Sequence, residues 1–220
     1  MRDYNKGKMV AKKFIIGIDE VCRGCLAGPV TVGAALIPKT FRKPVTLPEL
    51  RDSKKMTRLA REAWYEWIRN KGERAGVFVV VSSVMPKTVD RLNISRAANL
   101  AAWRSFQKIN NRQEKIALGA RVTLDGGLFL KNRLFQEREN FPFRVETIIG
   151  ADERFKEVQI ASVVAKVLRD SYMRRIAKKY PDFGFETNKG YGTKFHLKAI
   201  KRSGPIEEFH RKAFIKKIIV

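Results

Sequence analysis

Two adjacent carboxylates, Asp19 and Glu20, stand at the end of an apolar run near the start of the chain. The segment reads IIGIDEVCRGCLAGPV, so a loop with an arginine and two glycines follows the acids at once. Carboxylates beside a loop whose backbone can approach a ligand are suited to holding a divalent cation against a phosphate. These acids stand out because the chain has 46 lysines and arginines against 22 aspartates and glutamates.

Two further acids, Asp125 and Asp152, follow other strand-like runs. RVTLDGG predicts a strand that ends at Asp125, and FRVETIIGAD predicts one that ends shortly before Asp152. Ligands of open α/β sheets collect at the carboxyl ends of the strands, so acids far apart in the chain are expected to meet there. Such a cluster predicts a site for divalent cations that cleave a phosphodiester, because these ions prefer hard oxygen ligands.

Each of these acids also has a purely structural interpretation. Successive side chains of a regular strand point to opposite faces, so Asp19 and Glu20 share a site only if the strand ends or bends there. Glu20 by itself suits a solvated residue or an ion pair with Arg23. Asp125 suits an Asp-Gly turn, and Asp152 suits a helix N-cap.

Asp170 competes for the place of the fourth acid. It lies on a long predicted helix, with Lys166 four residues before it and Arg174 four residues after it. This spacing favours ion pairs along one helix face, so we expect a structural role for Asp170.

The net charge of +24 indicates a polyanionic partner. A hydrophobic content of 44% is enough for a packed core and excludes a disordered basic protein. Residues 1–13 precede only a short apolar stretch, which is no signal peptide, and we find no apolar run long enough to span a membrane. We therefore expect a cytoplasmic protein that binds no membrane, with a monomer as the default state.

The elements that must position these acids alternate between strands and helices. Strands are predicted at FIIGID, VTVGAALI, GVFVVVSS, RVTLDGG and FRVETIIGAD, and helices at residues 57–70, 90–108 and 158–179. One face of the first helix is expected to hold Leu59, Ala63 and Trp67, with Ala60 as a further candidate. Core candidates of the second helix are Leu92, Ala97, Leu100, Ala101 and Trp103, and helical spacing places Val158, Ala161, Val164, Ala165, Leu168, Tyr172 and Ile176 on one face of the third. This order predicts an α/β fold with a central mixed sheet. We expect a basic arm at residues 1–13, a main domain at 14–190 and a small helical C-terminal part at 191–220.

The order of several motifs resembles a known family. GIDEVCRGCLAGPV, DSKKMT, TLDGG, GAD, IASVVAKVLRD and KGYGTKFH follow one another between Ile15 and Phe214, as they do in bacterial ribonuclease HII, a type 2 ribonuclease H. The resemblance implies a ribonuclease H-like fold and endonucleolytic cleavage of RNA–DNA hybrids and of single ribonucleotides embedded in duplex DNA. It also implies a cut on the 5′ side of the ribonucleotide that leaves a 3′-hydroxyl and a 5′-phosphate, magnesium or manganese as cofactor, and ribonucleotide excision repair as the setting.

The resemblance also implies which residues act. The catalytic and metal-binding acids would be Asp19, Glu20, Asp125 and Asp152. The ribose 2′-hydroxyl would be read through the backbone of Cys22, Arg23 and Gly24, and the neighbouring deoxyribose would pack on Tyr191. Lys54 is our first candidate for a phosphate contact, ahead of Lys55, Lys166, Arg169, Lys189, Lys194 and Lys198.

Two positions depart from the family pattern. Cys22 replaces the first glycine of the usual Gly-Arg-Gly, and a side chain there costs about 1–2 kcal/mol if the backbone needs a positive φ. Gly150 stands where the family often has a lysine, and we expect Lys54 or Arg154 to compensate.

Cys22 and Cys25 form a C-x-x-C pair, which suggests a redox switch as a hypothesis. A zinc site is disfavoured because there is no second cysteine pair. His196 and His210 are expected to hydrogen-bond locally.

Three other functions remain compatible with a basic chain of this kind. These are a non-catalytic hybrid-binding protein on the same fold, a different nuclease or an integrase-like enzyme, and a basic structural or ribosome-associated protein. The presence of all four acids argues against the first. Cleavage assays with all-DNA, all-RNA and single-ribonucleotide duplexes distinguish the others.

Overall fold

The structure, a computed structural model, describes residues 13–113, 119–130 and 143–219. The predicted basic arm lies outside the described residues, except for Lys13. One mixed sheet contains β1 (Phe14–Val21), β2 (Val30–Pro38), β3 (Phe78–Val84), β4 (Arg121–Asp125) and β5 (Arg144–Ile148), in the order β3-β2-β1-β4-β5. β2 is antiparallel to both of its neighbours, whereas β1, β4 and β5 run parallel.

The helices pack on both faces of this sheet. They are α1 (Arg58–Trp67), α2 (Pro86–Leu92), α3 (Ile94–Arg112), α4 (Ala151–Arg154), α5 (Lys156–Lys179), α6 (Phe185–Asn188), α7 (Lys194–Ser203) and α8 (Lys212–Ile219). α3 covers one face of β2 and β3, and α5 covers the opposite face of β1 and β2. The predicted α/β fold with a central mixed sheet is therefore confirmed.

α5 lies unusually close to the sheet because two glycines leave room for it. A Cβ atom at Gly17 of β1 or at Gly33 of β2 would lie 2.2 Å from a backbone atom of α5. The close approach buries most of α5 and brings Ser162 beside the end of β1. Leu168, which was expected on the same helix face as Val164 and Ala165, is 36% exposed.

The core face of α1 differs from the predicted one. Leu59 is 79% exposed and Ala63 is exposed, so both expectations were wrong. Trp64 is the buried residue of this helix, and its indole Nε1 donates a hydrogen bond to the Pro48 carbonyl at 3.0 Å. Ala60 and Trp67, at helical spacing from Trp64, pack against the same apolar cluster, so the expectations for these two residues are confirmed.

The helix predicted at residues 90–108 is two helices. The helix is interrupted at Asn93, whose φ of +69° is incompatible with an α-helix. The Asn93 side chain then caps α3 by accepting a hydrogen bond from the Arg96 amide at 3.0 Å. The break directs the start of α3 toward the loop that follows β1, where Ser95 contacts Arg23.

The C-terminal helices pack against the far end of α5 and form a separate apolar cluster. Its buried members are Ala27, Met173, Ala177, Phe183, Phe185, Ala199, Ile200, Phe209 and Ile215. Within the described ranges, no helix is both long and apolar enough to cross a membrane. The division into residues 14–190 and 191–220 stays a prediction.

Candidate active site

Three parallel strands deliver the predicted acids to one edge of the sheet. Asp19 lies near the end of β1, Asp125 ends β4, and Asp152 lies in the first turn of α4, directly after β5. Because β1, β4 and β5 are parallel neighbours, their carboxyl ends meet. Carboxylate oxygens of Asp19, Glu20 and Asp125 lie within 4.8 Å of one another.

Asp19 and Glu20 reach this point although β1 does not end at them. β1 stays paired with β2 as far as Val21, so the strand ends one residue after Glu20. Its pairing with β4 stops earlier, at Ile18, which opposes Leu124. Beyond that pair the sheet opens, and side chains from the two faces of β1 can both turn toward Asp125.

Different helices flank the two adjacent acids. Asp19 lies beside Ser162 of α5, and its Oδ1 accepts a hydrogen bond from the Glu20 amide at 2.7 Å. Glu20 pairs with Arg23 at 3.4 Å, as its structural interpretation suggested, and Arg23 Nη2 donates to Ser95 of α3 at 2.9 Å. Glu20 therefore has both an ion pair and a place in the acid cluster.

Burial and mutual repulsion disfavour the charged forms of the clustered carboxylates. Asp19 is 4% exposed, and burial raises the pKa of its carboxyl well above the usual range, with further upward contributions from Glu20, Asp125 and Asp152. Burial also raises the pKa of Glu20, against the opposing charge of Arg23. Glu20 Oε2 is buried and has no hydrogen-bond partner among the described residues. A bound hard cation would stabilise the charged forms of Asp19 and Glu20 and would give Glu20 Oε2 a partner.

Asp152 stands beside the other acids but is not one of the three closest. Asp125 Oδ1 accepts the amides of Ala151 at 2.7 Å and Asp152 at 3.4 Å, which ties α4 to the end of β4. Gly150 is the N-cap of α4, so the N-cap interpretation of Asp152 was wrong. Burial, and then the charge of Asp125, raises the pKa of Asp152.

Lys54 approaches the acids from the loop before α1. Its Nζ lies 3.7 Å from Asp152 Oδ2, and its side chain is 70% exposed. Arg154, the other residue expected to compensate for Gly150, stacks on Phe155 with 5.4 Å between its Cζ and the ring centroid. Of the two, only Lys54 is therefore directed toward the acids.

The loop between β1 and β2, residues 22–29, borders the acid cluster. Cys22 adopts a φ of +65°, so a side chain occupies a backbone conformation that favours glycine. Gly24 is exposed, and a Cβ atom added there would meet nothing within 4 Å. The protein itself therefore does not need a glycine at position 24.

The two cysteines are free and buried. Burial raises the pKa of the Cys22 thiol, but hydrogen bonding with Cys25 and the charge of Arg169 outweigh this and lower the pKa to about 6. The Cys22 thiol also hydrogen-bonds with Tyr191, which links the β1–β2 loop to the KGY motif. The redox hypothesis stays a prediction.

Tyr191 is 38% exposed beside this loop. Lys166 Nζ lies 5.7 Å from the centroid of its ring and 3.0 Å from Asp170 Oδ1. The expected ion pair between Lys166 and Asp170 is confirmed. Arg174, however, bonds to Glu62 at 3.4 Å instead of to Asp170.

Two buried arginines hold the loop, and the sequence analysis missed the role of both. Arg169 was expected to contact phosphate, but it is 1% exposed and donates hydrogen bonds to the carbonyls of Ala27, Pro29 and Lys189. Arg211, which is fully buried, was not singled out at all. It lies in the run HRKAF, where nothing distinguishes it from its basic neighbours.

His196 and His210 form a buried pair, and their local hydrogen bonding is as predicted. Their Nε2 atoms are 3.0 Å apart. The Ile206 amide donates to His210 Nδ1 at 2.8 Å, and His196 Nδ1 lies 2.9 Å from the Tyr191 carbonyl. This assigns a proton to His210 Nε2 and another to His196 Nδ1, so both rings are neutral and form a chain from Ile206 to Tyr191.

The family model described as Ribonuclease HII matches residues 16–217. The chain belongs to the ribonuclease HII family. A ribonuclease HII of Fusobacterium nucleatum is 39% identical over 210 residues, which are 94% of this chain and 88% of that protein. The chain is thus a ribonuclease H, a hydrolase, and its family implies endonuclease activity on RNA–DNA hybrids.

Solved structures share the fold at low sequence identity. The RNase HII in the PCNA:RNase HII complex from Archaeoglobus fulgidus matches with a TM-score of 0.62 and 23% identity, over 90% of this chain and 92% of that one. Bst-RNase HIII in complex with Mn²⁺ matches with a TM-score of 0.65 and 17% identity, over 100% of this chain and 73% of that one. These matches agree with the ribonuclease H-like fold that the motifs predicted.

Proposed function

We propose that this ribonuclease H cleaves the phosphodiester on the 5′ side of a ribonucleotide and leaves a 3′-hydroxyl and a 5′-phosphate. Its substrates are RNA–DNA hybrids and single ribonucleotides embedded in duplex DNA. The observation that carries the proposal is the meeting of Asp19, Glu20 and Asp125 within 4.8 Å, beside the β1–β2 loop with its exposed Gly24, in a chain of net charge +24.

Asp19, Glu20 and Asp125 hold Mg²⁺ or Mn²⁺ in this proposal, and Asp152 completes the set of acids. The orphaned Oε2 of Glu20 and the purely carboxylate donor set both fit such an ion. When bound, divalent ions of this kind activate water and stabilise the leaving oxygen of a phosphodiester. The Mn²⁺ in the solved Bst-RNase HIII complex supports manganese as one suitable metal.

The chain's own residues bind and orient the substrate. Cys22, Arg23 and Gly24 read the ribose 2′-hydroxyl through the backbone, because this hydroxyl alone separates RNA from DNA at a given position. The half-exposed ring of Tyr191 packs against the neighbouring deoxyribose. Lys54, whose ammonium group lies 3.7 Å from Asp152, contacts a backbone phosphate and lowers the repulsion between the polyanion and the acids.

We further propose that the protein works as a cytoplasmic monomer in ribonucleotide excision repair and requires no protein partner for cleavage. The Archaeoglobus fulgidus enzyme forms a complex with PCNA. Activity of the purified chain by itself on a short duplex, together with its mass in solution, tests the independence of this chain from such a partner.

The decisive experiment is cleavage of a DNA duplex with one embedded ribonucleotide, with the product ends mapped. Asp125→Asn is expected to abolish cleavage with either metal while the variant stays folded. Glu153→Gln is the matched control, because Glu153 follows Asp152 directly but is exposed and pairs with Lys55 at 2.5 Å. Substantial cleavage by the Asp125→Asn variant would overturn the assignment, and binding without turnover by the wild type would favour a non-catalytic hybrid-binding protein.

A further inference from the structure

Arg211, which has no role in the proposed function so far, holds the backbone of the β1–β2 loop. Its guanidinium is fully buried and donates to three carbonyls of the β1–β2 loop: Nη2 to Cys22 at 2.9 Å, Nη1 to Arg23 at 2.7 Å and Nε to Gly28 at 3.1 Å. Among the described residues, no carboxylate lies within ion-pair distance of it. Burial lowers the pKa of Arg211 to about 10, because a buried site disfavours its positive charge. The three carbonyl contacts hold the guanidinium in this site although burial opposes its charge.

These contacts determine which way two backbone amides point. In a trans peptide unit the carbonyl and the N–H point in opposite directions. The Cys22 carbonyl shares its peptide unit with the Arg23 amide, and the Arg23 carbonyl shares its unit with the Gly24 amide. Because Arg211 draws both carbonyls into the protein, the amides of Arg23 and Gly24 must face outward.

The hydrogen bonds of the loop agree with this orientation. The amides of Cys25, Leu26, Ala27 and Gly28 all donate to backbone carbonyls. Within the part of the chain that the structure describes, the amides of Arg23 and Gly24 donate to none. Together with the Cys22 amide, which also donates to no backbone carbonyl among the described residues, they are the free backbone donors of the loop, and the space beside Gly24 is open.

We infer that Arg211 is a positioning residue that sets the Arg23 and Gly24 amides to donate to a ribose 2′-hydroxyl. This inference rests on the proposed function and adds a residue to it. Arginine suits the role because its planar guanidinium presents several donors in a rigid fork, whereas lysine offers a single point of charge. The positive φ of Cys22 is unfavourable for a residue with a side chain. The loop would therefore relax to a conformation of lower energy if Arg211 did not hold its carbonyls.

The segment that carries Arg211 also holds Tyr191. His210 precedes Arg211, and through His196 it is linked to the Tyr191 carbonyl. The Arg211 amide also donates to the Leu26 carbonyl at 2.8 Å, which fastens the segment to the loop. Residues 206–211 are thus linked by hydrogen bonds to both parts of the proposed ribose site, the loop with the free amides and the segment of Tyr191.

Arg211→Lys tests the inference through discrimination rather than through activity alone. We would measure the dissociation constants for a single-ribonucleotide duplex and for the matching all-DNA duplex, with Ca²⁺ as the metal to prevent turnover. The variant is expected to lose about tenfold in the ratio of the two constants, while its affinity for the all-DNA duplex changes by less than about twofold. An unchanged ratio, or an equal loss of affinity for both duplexes, would overturn the positioning role.

Arg61→Lys is the matched control. Arg61 also donates to two loop carbonyls, those of Ser53 at 2.7 Å and Met56 at 2.5 Å, but in the loop before α1. Its replacement is expected to leave the discrimination ratio unchanged. A wild type that neither prefers nor cleaves the ribonucleotide duplex would defeat the proposed function, whereas a discriminating wild type with an equally discriminating Arg211→Lys variant would defeat only this inference.

Should Arg211→Lys fail to fold, hydrogen exchange in the wild type supplies the test. The Nε–H of Arg211 is expected to exchange slowly, and the Arg23 and Gly24 amides rapidly, in the free protein. The two amides should become protected with the single-ribonucleotide duplex and not with the all-DNA duplex. Rapid exchange at Arg211 Nε, or equal protection by both duplexes, would contradict the inference.

Discussion

At Asp19 the folded chain holds a carboxylate whose charge is opposed by its surroundings. The side chain is 4% exposed, and its neighbours Glu20, Asp125 and Asp152 are acids. A pKa raised on folding means that the folded protein binds a proton more tightly than the unfolded chain. Stability is therefore lost as the pH rises through the raised pKa, and this loss persists at neutral pH without metal.

Asp19→Asn is accordingly expected to stabilise the metal-free protein at neutral pH while reducing cleavage by more than about a hundredfold. Thermal unfolding in EDTA should show a higher midpoint for the variant than for the wild type. Added Mg²⁺ should raise the midpoint of the wild type and have little effect on the variant. A lower midpoint for the variant in EDTA would show that the carboxylate is not a source of strain.

Gly24→Ala tests whether the glycine at position 24 serves substrate binding rather than folding stability. The added methyl group meets no protein atom within 4 Å, and Gly24 is not among the positive-φ residues, so thermal stability should be unchanged. The methyl group would stand beside the free Arg23 and Gly24 amides, and we expect cleavage at a single ribonucleotide to fall at least about tenfold. Comparison of kcat/KM and the unfolding midpoint checks this, and full activity would exclude close contact of the substrate at this point.

At the scale of elements, the loss of pairing between β1 and β4 creates the site. The two strands separate after Ile18 and Leu124, and the acids of both lie just beyond. α5 contributes Ser162 from one face and the start of α3 contributes Ser95 from the other. The close approach of α5 that Gly17 and Gly33 allow is thus part of the site's construction.

The His196–His210 pair makes the C-terminal elements sensitive to acid. Burial, and then the nearby His196, lowers the pKa of His210 to about 4, and burial lowers that of His196. The unfolded chain takes up protons first, so stability is full above about pH 6.5 and falls as the pH drops toward 4. The raised pKa values of the acids act in the opposite direction, so the histidine contribution must be isolated by substitution.

The variant His196→Gln/His210→Gln is expected to be less stable than the wild type at pH 7 but to lose less stability between pH 7 and pH 5. The chain has 2 histidines, so this variant removes all of them. Urea unfolding at the two pH values measures the difference. Equal acid sensitivity of the two proteins would contradict a buried neutral pair.

At the scale of the whole molecule, the charge of +24 attracts any nucleic acid, and only a few cations should contact it in the productive complex. The lysines do not all face the site. Lys54 lies beside Asp152, whereas Lys166 is only 11% exposed and is paired with Asp170. Net charge therefore predicts a polyanionic partner but does not predict the binding face.

Lys54→Ala is expected to reduce the slope of log Kd against log salt by about 0.9, because one phosphate contact is lost. Lys71→Ala is the control, since Lys71 is exposed in the short helical segment Ile68–Gly72, which precedes the start of β3, whereas the acids lie at the carboxyl ends of β1 and β4. Titration of a hybrid duplex at several salt concentrations, with Ca²⁺ as the metal, gives both slopes. Equal slopes for the two variants would remove Lys54 from the proposed phosphate contacts.

The amino-acid sequence alone determined the strands, the helices and the acids that follow them. Apolar alternation, helical spacing and the position of Asp19, Asp125 and Asp152 after apolar runs are local features, so short segments encode them. The family motifs added roles for Cys22, Arg23, Gly24 and Tyr191. The break at Asn93 depends on a positive φ that periodicity does not predict. The core face of α1 does follow helical spacing, through Ala60, Trp64 and Trp67, and the prediction missed only Trp64 among these.

Tertiary structure alone decided how these residues are held. The opening between β1 and β4 lets adjacent acids from opposite faces converge, and no strand pattern predicts where a pairing will stop. Arg211 reaches the carbonyl of Cys22, which lies 189 residues earlier in the chain. One arginine among many basic residues becomes a buried clamp only because packing places it there, and burial is a property of the folded molecule as a whole.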